Sequence, residues 1–252
     1  MPVLAFVISN KTSTSDSNTF LLCAHASAYD TVSGNWTVAN GGTPPTVSQF
    51  SPVKNGYSLK FDGTTNTRME LTHTGSSSDY MIGDADNDAA ANWSIDGWFW
   101  TDVDNDDQYF LSNYDDATQN ETLMLGIRSS GVFQLRRHTA GSGNQLNSAL
   151  YQTYKWQHFL FTQEYKSAQG NVYDTLYIDG KVAYSTTNSN TYAYDFQTLA
   201  IGGRMDSTGS SHWSGYLSNI RIQTGTVIHP GAAVDGSLRY GSFSVPTTQV
   251  KA

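Results

Sequence analysis

Apolar residues in this chain recur mostly at every second position. In GYSLKFDG, Tyr57, Leu59 and Phe61 fall on one side, a period that belongs to a strand with one packed face. KWQHFLFTQEY, residues 155–165, sets Trp156, His158, Leu160 and Thr162 against Gln157, Phe159, Phe161 and Gln163. TLYIDGKVAY, residues 175–184, reads as a hairpin: Leu176, Ile178, Val182 and Tyr184 share a face around an Asp179-Gly180 turn. IRSSGVFQL is a second hairpin of the same kind. In GYLSNIRIQTG, strict alternation puts Tyr216, Ser218, Ile220 and Ile222 in one phase and Leu217, Asn219, Arg221 and Gln223 in the other.

One run is apolar on both sides. In NWSIDGWFW, Trp93, Ile95, Gly97 and Phe99 share one parity, and Trp98 and Trp100 share the other. This pattern fits a central strand covered on each side, or one whose second face is a ligand surface. VLAFVI (residues 3–8) and TFLLCAHA are further strands, and RMEL, QYFLSNY, TLMLGIRS and TLAIGGR complete the set. About a dozen short runs spaced by turns, without a helical period, predict an all-β fold, a sandwich or a jelly roll. No fixed-spacing repeat and no low-complexity linker divides the 252 residues. Residues 1–18 read as an N-terminal strand or arm suited to an assembly contact. Residues 19–252 read as one domain with an irregular tail from Val227 onward.

Composition supports this and narrows the function. Phe, Trp and Tyr total 32, against only three Glu and seven Lys, so helix formers are scarce. The net charge of −8 comes from 19 Asp, a residue of turns and loops. Arg136-Arg137 is the one adjacent basic pair, so no basic stripe is available to neutralise phosphates, and nucleic-acid binding is excluded. A single cysteine, Cys23, rules out an internal disulfide. No run approaches the ~20 apolar residues that span a bilayer, so no membrane partner is expected. VLAFVI lacks the basic start and cleavage site of a signal peptide, so synthesis in the cytoplasm without classical export is expected.

SNTFLLCAHAS, SPVKNGYSLKFDG, WSIDGWFW, WQHFLFTQ, LYIDGKV, LAIGG and GYLSNIRI occur in that order. Together they resemble the laminin-G-like branch of the concanavalin A-like lectin/glucanase superfamily, in the form carried on structural proteins of tailed bacteriophages. The resemblance spans roughly residues 17 to 245 and implies two antiparallel sheets packed as a jelly roll, with Ile95 and Phe99 feeding the core. It also implies a virion component at the particle's exterior, made in a host cytoplasm.

Candidate chemistry is sparse. A glucanase of this superfamily is expected to carry E-x-D-x-E on one strand, where alternate acids share a face. That pattern is missing: Glu70, Glu121 and Glu164 lie in separate segments, and Asp96 stands alone between Ile95 and Gly97. No G-x-S-x-G elbow or close histidine pair suggests a triad or a zinc site. The chain is therefore expected not to be an enzyme and to need no resident cofactor. The sharpest metal candidate is TDVDNDD, where Asp102, Asp104 and Asp106 alternate as oxygen ligands for calcium, without the Gly and Glu of an EF-hand. IGDADNDAA offers a second set, Asp84, Asp86 and Asp88. For glycan binding the candidates are Trp213, with His212 and Arg204 beside it, and Trp36 in its own polar loop. The leading expectation is a non-enzymatic capsid decoration protein, homo-oligomeric or present in many copies, and bound to capsid or other virion proteins. The alternative is a tail or fibre module that recognises host polysaccharide, and a β-glucanase comes third.

Overall fold

The computed structural model of the chain describes residues 18–23, 36–40, 43–54, 56–64, 67–75, 81–82, 92–104, 106–113, 122–139, 142–166, 170–188, 194–204 and 211–224. Seventeen strands, numbered in chain order, occur among them, arranged as two large antiparallel sheets and one small pair. The expected two-sheet jelly-roll sandwich is the fold observed. VLAFVI, most of the N-terminal arm, the tail from Val227 and the Asp84–Asp88 segment lie outside the described residues. Among the described residues no helix is long and apolar enough to cross a membrane.

The larger sheet runs β14 (Lys181–Asn188), β13 (Asn171–Ile178), β12 (Gln157–Lys166), β7 (Trp93–Trp100), β17 (Ser214–Thr224), β4 (Ser58–Asp62) and β3 (Thr46–Ser48). β1 (Asn18–Cys23) joins it on β17, pairing with Ile220–Thr224, whereas β4 pairs with Ser214–Leu217. The second sheet runs β11 (Ser142–Leu150), β10 (Val132–Thr139), β9 (Thr122–Arg128), β8 (Gln108–Ser112), β16 (Thr198–Ile201), β5 (Met69–His73) and β2 (Trp36–Asn40). β6 (Met81–Ile82) and β15 (Tyr194–Asp195) form the small pair.

The core lies between the large sheets. Trp93, Ile95 and Phe99 of β7, Phe159 and Phe161 of β12, and Ile220 and Ile222 of β17 meet Phe110, Leu125, Phe133 and Ile201 of the second sheet, all fully buried. Each such side chain contributes roughly 1.5–3 kcal/mol on leaving water. Phe99, Phe110, Phe133 and Phe159 form a ring cluster with centroids 5.0–6.3 Å apart.

Two bulges correct the strict alternation read from sequence. In β17, Ser218 faces Trp98 and Arg221 faces Asp96, so Asn219 and Ile220 together oppose Gly97. Asn219 takes φ 51°, a left-handed conformation that asparagine tolerates better than most residues. The extra residue flips the phase. Leu217 thereby joins Ile220 and Ile222 on the core side, and Arg221 joins Tyr216 and Ser218 outside. Gly97 makes the bulge sterically feasible, since a Cβ there would stand 2.5 Å from Ile220 Cδ1 and 3.2 Å from its Cα.

The second bulge is in the TLYIDGKVAY hairpin. Its Asp179-Gly180 turn has φ of 49° and 76°, the two positive values of a type I′ turn. Leu176 faces Tyr184, but Tyr177 faces Val182, so Val182 leaves the core side and Ala183 packs there with Tyr184. The parity read for β12 holds: Phe159 and Phe161 point inward, and His158, Leu160 and Thr162 share the outer face with their β7 partners.

Candidate functional site

The outer face of the larger sheet carries the second parity of β7. Cross-strand partners share a face, so rows can be read across it. Trp100 lies beside Tyr216, and Tyr216 beside Lys60. Trp98 lies between Ser218 and His158, Asp96 between Arg221 and Leu160, and Ser94 between Gln223 and Thr162. The rows change character along the strand. Trp98, Trp100 and Tyr216 are half-buried, whereas Asp96, Leu160 and Tyr177 are 2%, 0% and 1% exposed.

The open end is aromatic. Phe50, in the β3–β4 connection, sets its ring 5.4 Å from Trp100, 5.4 Å from Trp156 and 4.9 Å from Tyr216. Trp100 also meets Tyr216 at 5.3 Å and Tyr154 at 6.1 Å. The Lys60 ammonium stands 5.9 Å over the Tyr216 ring, a cation–π contact. Phe50 and Tyr154 remain 44% and 72% exposed.

Local hydrogen bonds hold these two rings in place. The Phe50 N–H donates to Ser48 Oγ at 3.0 Å, and Ser58 Oγ donates to the Phe50 carbonyl at 2.6 Å. Ser218 Oγ donates to the Tyr57 carbonyl at 2.7 Å, tying the far end of the connection to β17. The Tyr154 N–H donates to the Thr101 carbonyl at 2.8 Å, just past Trp100. Next to it, Lys155 Nζ pairs with Asp179 Oδ2 at 3.1 Å, while Asp179 Oδ1 accepts the His158 N–H at 2.9 Å. Tyr154 has φ 58°. For a bulky residue that conformation costs roughly 1–2 kcal/mol, and outliers of this kind gather at functional sites. The backbone in this conformation sets an exposed ring edge-on to Trp100.

The covered part of the face is electrostatic. Arg221 grips Asp96 with both ends of its fork, Nε to Oδ1 at 2.9 Å and Nη2 to Oδ2 at 3.0 Å. His158 Nε2 lies 3.4 Å from Oδ2, and its ring packs edge-on to Trp98. Burial pushes the Asp96 carboxyl up, but the His158 hydrogen bond and the charge and hydrogen bonds of Arg221 together outweigh it, so the group sits below the usual carboxylate range. Both oxygens are engaged and the charge is balanced, which suits an anchor and not a nucleophile or general acid. Glu164 shares the outer parity but lies four positions along β12 from Leu160, the residue opposite Asp96. At ~3.3 Å per residue that is ~13 Å, beyond the ~5–9.5 Å of a glycosidase pair.

The residues singled out from sequence fall elsewhere. Trp213 is fully buried, 5.3 Å from Phe110 and 6.1 Å from Phe99, so it is a core ring with no face for a sugar. His212 is buried beside Gly203. Arg204 is half-buried on the segment that Trp213 contacts through its N–H to Gly202 O, 3.0 Å. Trp36 begins β2 on the other sheet, in register with His73, and only its backbone is described. His212, Trp213 and Arg204 are thus neighbours, whereas the Trp36 backbone lies on β2, at the end of the second sheet.

Asp102, Asp104 and Asp106 are exposed. Asp106 Oδ1 accepts the Asp107 N–H, and Asp107 in turn accepts the Ser129 N–H at 2.7 Å and lies 3.4 Å from Arg128. Among the described residues no three His, Cys, Asp or Glu side chains converge as cation ligands. Sequence reasoning missed Phe50, Tyr154, Trp156, Tyr216 and Lys60 as a group. The available signal was the second parity of WSIDGWFW, which needed partners on an outer face.

Comparison with known proteins agrees with this architecture. A laminin-G-type family profile, described as the concanavalin A-like lectin/glucanases superfamily, matches residues 74–227, more than half of the chain. No curated protein matches the sequence. The binding domain of botulinum neurotoxin serotype G superposes with a TM-score of 0.60 at 13% identity, over 84% of this chain and 48% of that one. The receptor binding domain of botulinum neurotoxin D gives 0.54 at 16% identity, over 88% and 48%. This chain spans about half the length of those toxin domains. Domain 4 of AbnA, a GH43 extracellular arabinanase from Geobacillus stearothermophilus solved with arabinotriose, gives 0.51 at 15% identity, over 82% and 94%. At such identities the structural likeness is one of fold, and with the profile match it establishes that the chain belongs to the concanavalin A-like lectin/glucanases superfamily.

Proposed function

We propose that this chain is a non-catalytic carbohydrate-binding domain that takes its ligand on the aromatic end of the larger sheet's outer face. The observation that carries this reading is the Phe50, Trp100, Tyr154, Trp156 and Tyr216 group, with Phe50 and Tyr154 exposed and the other three half-buried, on a sheet whose other face is sealed. Aromatic faces provide apolar area for the C–H faces of a sugar ring at small entropic cost, and Lys60 at the rim adds a hydrogen-bond donor. The lone, fully engaged Asp96 supports binding without hydrolysis. The related arabinanase domain, crystallised with a trisaccharide, supports the same ligand class. The test is a titration of the full chain against an array of soluble plant, bacterial and animal glycans. Saturable binding that is weakened by Trp100→Ala and unaffected by Trp36→Ala supports the reading, and no binding at millimolar sugar defeats it.

A second reading places the same rings against a virion subunit as a capsid decoration. Val47, Phe50 and Tyr154, 40%, 44% and 72% exposed, are the large apolar residues left open among the described ones and would serve as anchors. The superfamily description and the similar structures named above refer to lectins, glucanases, toxin binding domains and an arabinanase domain, and none of them refers to a virion. Glycan recognition is therefore the better supported of the two.

A further inference from the structure

Ring orientation narrows what such a face accepts. A flat run of polysaccharide lies on coplanar rings whose faces line up along the chain. Here the contacting rings stand across one another. Phe50 is 88° and Tyr154 is 82° from the plane of Trp100, Trp100 and Tyr216 differ by 77°, and Trp156 and Tyr216 by 57°. The nearest to parallel, Phe50 with Trp156, still differ by 38°. The centroids of these pairs lie 5.3–6.3 Å apart, the spacing of direct packing, so they form one cluster and not a strip of separate platforms.

The sheet face also stops. Going down β7 from Trp100, the next outward residue is Trp98, with its ring against His158. After it come Asp96 with Leu160 and Tyr177, then Ser94 with Thr162 and Thr175, every one of them 2% exposed or less. A glycan aligned with the strands has open surface at the aromatic end and none beyond Trp98. One aligned across the strands meets the exposed rings of Phe50 and Tyr154, each set across the plane of Trp100. Tyr154 is the more exposed of the two, and its N–H bond to the Thr101 carbonyl fixes its backbone just past Trp100.

We infer that the site binds the terminal residue of a glycan chain, edge-on among the rings, and does not bind the interior of an extended polysaccharide. This rests on the carbohydrate reading above and adds the part of the glycan recognised. The ligand class is then set by the end sugar, with interior linkages indifferent.

The experiment uses the full chain and soluble oligosaccharides. Glycans retained on the array should share an end residue and differ freely inside. For the best binder, a series from one to six residues titrated by calorimetry should reach its full affinity by the disaccharide and change less than twofold thereafter. Tyr154→Ala should weaken binding at least tenfold, whereas Tyr154→Phe stays within twofold, with thermal melting confirming that each variant folds. Affinity that climbs more than tenfold between two and six residues, or stronger capture by insoluble polysaccharide than by its soluble ends, overturns terminal recognition and leaves the carbohydrate reading intact. Absence of binding to any glycan at millimolar concentration overturns both.

Discussion

Trp93 and Trp100 begin and end the same eight-residue strand and have opposite fates. Trp93 is sealed in the core, 5.1 Å from Phe161 and 5.5 Å from Tyr194. Trp100 is half-buried on the outer face and ringed by Phe50, Tyr154 and Tyr216. Nothing in the residue type separates them. Parity does, because alternate side chains leave a strand on opposite faces. The core-facing parity of β7 serves folding. The outward parity divides again, into a closed ionic stretch at Asp96 and an open aromatic one at Trp98 and Trp100.

The contrast is most easily broken from the core side. Phe99→Ala removes a ring in contact with Phe110, Phe133, Phe159 and Trp213, and is expected to cost about 3–5 kcal/mol in urea unfolding. Trp100→Ala, one residue on, should cost well under half of that while removing glycan binding. Equal losses for the two would mean that both faces are structural.

Next in size is the ionic stretch. Arg221→Ala leaves Asp96, 2% exposed, without the charge that balances it. A broken buried pair costs about 3–5 kcal/mol, and Arg221 retains some exposure, so the lower end, about 3 kcal/mol, is expected. Replacing both partners with apolar residues, Asp96→Leu with Arg221→Met, should recover most of that loss. A double variant as unstable as the single one would show that the pair contributes more than balanced burial.

Acid should separate the same stretch from the rest of the molecule. The Asp96 carboxyl is held below its ordinary value in the folded chain, so its contribution is fully present above the unfolded pKa of about 4 and is lost as pH falls through the folded value. Asp62 and Asp107 shift in the same direction at more exposed sites and add less. Urea midpoints should therefore be level, as far as these groups matter, from neutral pH down to about 5 and decline below about 4. The Asp96→Leu, Arg221→Met variant should decline less steeply. Identical acid limbs would remove Asp96 from the account.

How much of this was legible in the sequence follows from the same physics. Alternation in β7, β12 and β4 gave the sandwich and its core residues, because a period of two needs only local information. Alternation failed at Asn219 and Ala183, where a bulge inserts one residue and flips every side chain after it. The bulge was visible only as an asparagine before an isoleucine, with a glycine on a strand not yet known to be its neighbour. The site was harder to see. Trp213 stood in a polar sequence context yet fills the sandwich interior, since local polarity does not report what the opposite sheet brings. Phe50 and Tyr154 stand outside every alternating run, 50 and 54 positions from Trp100, and only the closed fold joins them.

The smallest expected change in stability belongs to Tyr154, and it tests the exposed end most cleanly. Tyr154→Gly relieves the positive φ, a gain of roughly 1–2 kcal/mol. It also gives the unfolded chain more freedom, costing roughly 0.5–1 kcal/mol, and it loses the edge contact with Trp100. The sum should leave the melting free energy within about 1 kcal/mol of the parent. Binding should nevertheless fall at least tenfold, because the ring that stands over Trp100 is gone. A residue that the fold can lose freely and the ligand cannot is present for the ligand. If Tyr154→Gly instead unfolds the chain, or binds as well as the parent, the strain at Tyr154 serves packing and the open face must find its ligand contacts in Phe50 and Trp100 alone.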